Sequence, residues 1–132
     1  MHGAGEAGHA MTVWLGVFLI GGVGAVCRML VDRVVSRHVR IGFPIGTFTV
    51  NISGAWLLGL LSTLALGPNA ALLAGTAFVG AYTTFSTWML ETQRLAEDAR
   101  RLPAALNIVL SVGVGLLAVW LGQMTGAHLR DG

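Results

Sequence analysis

The sequence predicts an all-α integral membrane protein with four transmembrane helices, and three observations predict it. Of 132 residues, 55% are hydrophobic and only 11% charged, against about 25% charged in ordinary soluble domains. The apolar residues gather into four segments, each close to the roughly 20 residues that cross a bilayer as a helix. The connectors are short, so successive helices are antiparallel neighbours. The mean hydropathy of +0.74 agrees.

The first ten residues, MHGAGEAGHA, lack the basic start of a secretory signal. They read as a flexible N-terminal tail in which His2 and His9 are solvated. The first span runs from about Met11 to Val31, with Arg28 near its end. Ser36 to Phe43 leads to the second span, about Pro44 to Leu66. The turn Gly67-Pro68-Asn69 leads to the third, about Ala70 to Leu90, since Pro and Asn suit a tight reversal. Glu91 to Arg101 leads to the fourth, about Leu102 to Leu121, with Pro103 where a first helical turn tolerates proline. Residues 11–124 thus form the membrane domain and 125–132 a short C-terminal tail.

All eight basic residues are arginine. They are spread as membrane flanks, not clustered on a helical face as a nucleic-acid site requires. The connectors after spans one and three hold Arg33, Arg37, Arg40, Arg94, Arg100 and Arg101, and the opposite side holds Arg130 alone. By the positive-inside rule both termini lie outside the cytoplasm. The 19 glycines suit close helix packing in lipid. A single cysteine, Cys27, allows no internal disulfide and reads as a packing residue.

Polar residues at bilayer depth locate the function, because lipid excludes them unless protein or an ion pathway covers them. The second span carries Thr47, Thr49, Asn51 and Ser53, and the fourth carries Asn107 and Ser111. The richest stretch, GTAFVGAYTTFSTWMLE (residues 75–91), carries Gly80, Thr83, Thr84, Ser86 and Thr87. Asn51 serves either as an interhelical hydrogen bond or as a donor facing a pore. Phe85 and Trp88 share a helical face, and they either pack or turn their electropositive ring edges to an anion. Gly80-Ala81-Tyr82-Thr83-Thr84 either stays helical or breaks the helix, freeing carbonyls that coordinate hard cations. Arg28 snorkels or draws anions to a vestibule, and Glu91 sits at the membrane edge. No nucleophile–base–orienter set and no metal cluster of His, Cys and carboxylates appears in the spans, so enzyme chemistry is not expected.

Three motifs carry a resemblance: GGVGAVCRM (Gly21 to Met29), GTFTVNISGAWLLG (Gly46 to Gly59) and GAYTTFSTWMLE (Gly80 to Glu91). Together they resemble the Fluc (CrcB-type) fluoride channel family over about residues 12–122. The resemblance implies an antiparallel, dual-topology homodimer of four-helix subunits in the cell inner (plasma) membrane, with the third helix broken near its middle. It implies two fluoride pathways at the subunit interface and a central structural Na+ held by the backbone carbonyls of Gly80 and Thr83. Asn51 is similar to the family's pore asparagine, Phe85 to the first of its two pore phenylalanines, and Thr84, Ser86 and Thr87 to its hydroxyl-rich stretch. Ser111 fits the polar track, while Arg28 and Glu91 resemble its vestibule and pore-mouth residues. Two positions depart from the pattern: Trp88 stands for the second phenylalanine, and Asn107 where tyrosine is common.

The implied function is passive export of cytosolic fluoride. A small multidrug exporter is the first alternative, weakened because the first span has no acidic residue before Asp32. A non-transporting membrane subunit is the second, and it leaves the polar track unexplained. The uneven arginines also suit a chain of fixed orientation paired with an oppositely inserted homologue, the alternative to the homodimer.

Overall fold

The computed structural model describes residues 2–132, and all regular structure among them is helical. The chain forms α1 (His2–His38), α2 (Ile45–Thr63), α3 (Pro68–Ala71), a π-helical segment (Leu72–Val79), α4 (Gly80–Tyr82), α5 (Ser86–Glu97) and α6 (Arg101–Asp131). From α3 to α4 the run is one uninterrupted helix, with right-handed helical backbone at each junction. It stops at Thr83, which is extended (φ −82°, ψ 162°).

Both ends are helical. Residues 2–10, expected as a flexible tail, continue α1 as exposed helix, and Met1 lies outside the described residues. Residues 125–131 likewise continue α6. Neither stretch contains proline, and lengthening an existing helix avoids the nucleation cost of starting one. Proline falls only where a helix accepts it. Pro68 opens α3, and Pro103 lies in the first turn of α6, where backbone N–H groups have no intrahelical acceptor.

Three helices, α1, α2 and α6, are long and apolar enough to cross a membrane. The third apolar segment is divided at Thr83, so neither of its pieces qualifies alone. The outer surface agrees with a lipid surround: Trp14, Phe18 and Leu19 on α1 and Val109, Leu116 and Trp120 on α6 are all exposed. In water such a surface is an aggregation hazard; in a bilayer it matches its solvent.

α2 packs most extensively on α6, and α1 packs on the π segment, α2 and α4. The α2–α6 approach depends on Gly122, where a Cβ atom would strike the Trp56 carbonyl oxygen and lie 2.9 Å from the Leu60 nitrogen. This is the small-residue contact through which membrane helices gain close van der Waals packing. α5 ends in a full Schellman cap. Arg100 N–H donates to the Leu95 carbonyl (2.8 Å) and Ala99 N–H to that of Ala96 (3.2 Å). Ala99 takes the left-handed backbone (φ 58°) that glycine usually supplies there.

Candidate functional site: a clamped helix break

Asn51, on the face of α2 that meets the interrupted helix, holds the break open. Its Nδ2 donates to the Thr84 carbonyl (2.9 Å), and its Oδ1 accepts from the Thr84 N–H (2.8 Å). One side-chain amide therefore satisfies both backbone groups of one residue, as a neighbouring strand would. In an unbroken helix the Thr84 N–H would serve the Gly80 carbonyl. A similar exchange follows one turn on. The Thr87 N–H, which would serve the Thr83 carbonyl, donates to Thr84 Oγ1 (3.4 Å). The carbonyls of Gly80 and Thr83 thus lose their helical donors together.

Packing fixes the same geometry. A Cβ on Gly54 would collide with Thr83 Cγ2, so the glycine admits the kinked backbone against α2. Ser53 Oγ lies 2.8 Å from Tyr82 Oη, and Thr83 Oγ1 donates back to the Val79 carbonyl (3.0 Å). The stub of α4 is tied down on both sides.

Two concavities open from different faces of the break. One, about 440 Å³, is lined by Arg28 and Asp32 of α1, Thr47 and Val50 of α2, and Thr84 and Thr87. Here a guanidinium, a carboxylate and three hydroxyl groups share one space at the side of the bundle. The other, about 450 Å³, is lined by Gly80 and Thr83 with Thr76, Ser62 and the apolar Leu58, Leu61 and Val79. Of the residues expected on an anion route, Arg28, Thr84 and Thr87 therefore face one space, and Gly80 and Thr83, expected at a cation site, face the other.

Asn51, Phe85, Ser86, Trp88 and Ser111 line neither space. Phe85 is 71% exposed in the single chain, and it meets Trp88 edge to face at 5.6 Å. Trp88 is held by α6: its indole N–H donates to the Asn107 carbonyl (3.3 Å). The Asn107 side chain, fully buried, donates to Thr92 Oγ1 (2.8 Å), which donates to the Trp88 carbonyl (2.9 Å). This circuit commits the indole N–H to protein and leaves the ring edge as what Trp88 offers. Ser111 Oγ and Asn107 Oδ1 are buried nearby without protein partners. Glu91 lies farther along α5, where Oε1 accepts from Thr47 Oγ1 (2.9 Å) and Oε2 is buried without a partner.

Two residues named in the sequence only as part of a polar set or a helix-breaking run take specific roles here. Thr47 bridges the Arg28 concavity and Glu91, and its position four residues before Asn51, on the same helical face, was the available signal. Tyr82 buttresses the break through its hydroxyl, and nothing in its spacing marks it.

The profile described as "CrcB-like protein, Camphor Resistance (CrcB)" matches residues 15–123, which include every part of this arrangement. The chain belongs to the CrcB-like family. A curated relative from Mycobacterium tuberculosis, "Fluoride-specific ion channel FluC 2", is 64% identical over 119 residues, covering 89% of this chain and 94% of the relative. "Fluoride-specific ion channel FluC 1" of Symbiobacterium thermophilum is 42% identical over 119 residues, covering 86% and 96%. "Fluoride-specific ion channel FluC" of Geobacter metallireducens is 41% identical over 124 residues, covering 90% and 100%. These CrcB-like relatives are named as channels, not enzymes, and the similarity extends across nearly their whole length.

Proposed function

We propose that this CrcB-like chain is a fluoride-selective channel through which cytosolic fluoride leaves the cell passively, down its electrochemical gradient. The observation that carries the reading is the break at Thr83, held by Asn51 beside a concavity lined by Arg28, Thr84 and Thr87. Irregular backbone at bilayer depth is tolerated only where protein or an aqueous path covers it. In this reading α3 to α5 make one interrupted crossing, the third of four, in the inner (plasma) membrane.

Fluoride holds its water tightly, so a path must replace that hydration stepwise without trapping the ion. Arg28 raises the local anion concentration at the entrance. The hydroxyls of Thr84 and Thr87 donate to the ion, as does the second Nδ2 hydrogen of Asn51, which the clamp leaves free. Ser86 and Ser111 extend the hydroxyl track. The edges of Phe85 and Trp88 then offer weak positive potential without a full countercharge. Glu91, bound to Thr47, marks the pore mouth.

Two antiparallel copies, each exposing Phe85, would line two such paths between them. The Gly80 and Thr83 carbonyls fit a hard monovalent cation: both are neutral oxygens that the break deprives of helical donors. A Na+ there would satisfy those carbonyls and join the two breaks.

Liposomes containing the purified chain, loaded with fluoride or chloride, test the function. Efflux of fluoride with none of chloride is expected. Equal efflux of both anions, or none of either, overturns the reading.

A further inference from the structure

We propose that the basic concavity between the end of α1 and the start of α2 binds the phosphate group of an anionic phospholipid. The space is about 710 Å³ and is lined by Arg33, Arg37 and Arg40 with Ser36, and by Val39, Ile41, Phe43, Pro44 and Ile45. No acidic residue lines it. The three guanidinium groups are exposed and make no ion pair among the described residues, where the single ion pair is Arg130–Asp131. Of the neighbouring carboxylates, Asp32 accepts from Ser36 Oγ (3.2 Å) and lines the Arg28 concavity, while Glu91 and Asp98 line a separate concavity beyond Phe43 and Pro44. Three arginines without an acidic partner in one concavity favour an anion, and planar guanidinium groups pair with phosphate oxygens two bonds at a time.

Depth and chemistry choose the lipid over a dissolved ion. The exposed apolar surface of α1 runs from Met11 to Leu30. At about 1.5 Å per residue that is about 30 Å, the thickness of the hydrocarbon layer. Arg33, Arg37 and Arg40 follow at headgroup level. Val39 and Ile41, exposed at 42% and 58%, line the same concavity, so an acyl chain can lie along apolar surface while the phosphate meets the arginines. A soluble phosphate has no use for that apolar side. Basic pockets between membrane helices hold anionic headgroups in this manner.

The test uses the full chain in nanodiscs of phosphatidylcholine, with phosphatidylglycerol as the probe and native mass spectrometry as the readout of retained lipid. The wild type should retain phosphatidylglycerol, and R33Q/R37Q/R40Q should lose roughly a hundredfold in apparent affinity. R101Q, an arginine on the same side but outside the concavity, should retain the lipid. Equal loss in R101Q overturns the proposal, because general surface charge would then suffice. Retention of the lipid by the triple variant overturns it too. Displacement by inorganic phosphate alone would identify a soluble ligand and also overturn it. Fluoride efflux from purely phosphatidylcholine liposomes should be the same for wild type and triple variant; a fall there would assign the arginines to the ion path instead. Since the readout is lipid retention, its failure leaves the channel reading untouched.

Discussion

Asn51 uses both ends of one amide: its oxygen and one N–H fasten Thr84, and in the proposed channel the other N–H is left to meet the ion. Asn51→Asp keeps the acceptor but loses the donor and sets a negative charge against the Thr84 carbonyl. Fluoride efflux should fall by at least about tenfold, which is the effect of about 1.4 kcal/mol on a barrier, and an unchanged rate would remove Asn51 from the path. Trp88→Phe separates the other pairing. The ring edge stays, so efflux should persist, while loss of the bond to the Asn107 carbonyl should lower stability by about 0.5–1.5 kcal/mol. A stalled channel with unaltered melting would reverse that assignment. Sequence alone marks Asn51, Thr84 and Trp88 as candidate sites, because polarity at bilayer depth and the motif spacing are visible in the residues. It does not show that Asn51 binds backbone, or that the Trp88 N–H is already taken. Those facts depend on which groups meet across α2, α5 and α6.

At the scale of elements, the three unbroken apolar segments are plain from composition, while helix ends and the π segment are not. Leu72–Val79 reads LLAGTAFV, and nothing in that apolar run distinguishes wide turns from ordinary ones. The wider turns arise where α1 presses close: a Cβ on Gly24 would lie 2.6 Å from the Phe78 carbonyl oxygen. Two substitutions probe the elements around the break. Gly54→Ala places a methyl group against Thr83 and should cost about 1–3 kcal/mol of stability, the usual penalty of overpacking; efflux should decline with it. Wild-type melting would mean that Thr83 yields freely. Ala99→Gly relieves the left-handed backbone in the cap of α5 and should add about 1 kcal/mol. A lower melting temperature would show that the unfolded chain's gain in freedom is larger.

For the whole molecule, the uneven arginines and the proposed antiparallel dimer make opposing demands. A chain that inserts both ways needs a weak charge bias, yet in the proposed four-span arrangement six arginines flank one side and Arg130 the other. The homodimer remains the favoured assembly. A tag at either terminus should then be reachable from both faces of the membrane when the chain is expressed alone. A tag confined to one face would favour an oppositely inserted homologue as partner. The sequence displays the imbalance; it hides the assembly, because the surface for a second copy and the surface for lipid are both apolar.

The two hydrogen bonds between Asn51 and Thr84 also bear on how such a protein would be controlled. Both backbone groups of Thr84 are fastened to one side chain, so in the proposed channel the kink would act as a fixture and not as a hinge, with nothing in it to close and reopen for each ion. Throughput would then follow the steepness of the fluoride gradient and the number of copies in the membrane. A cell would set its tolerance by how much of the protein it makes, not by a latch within it.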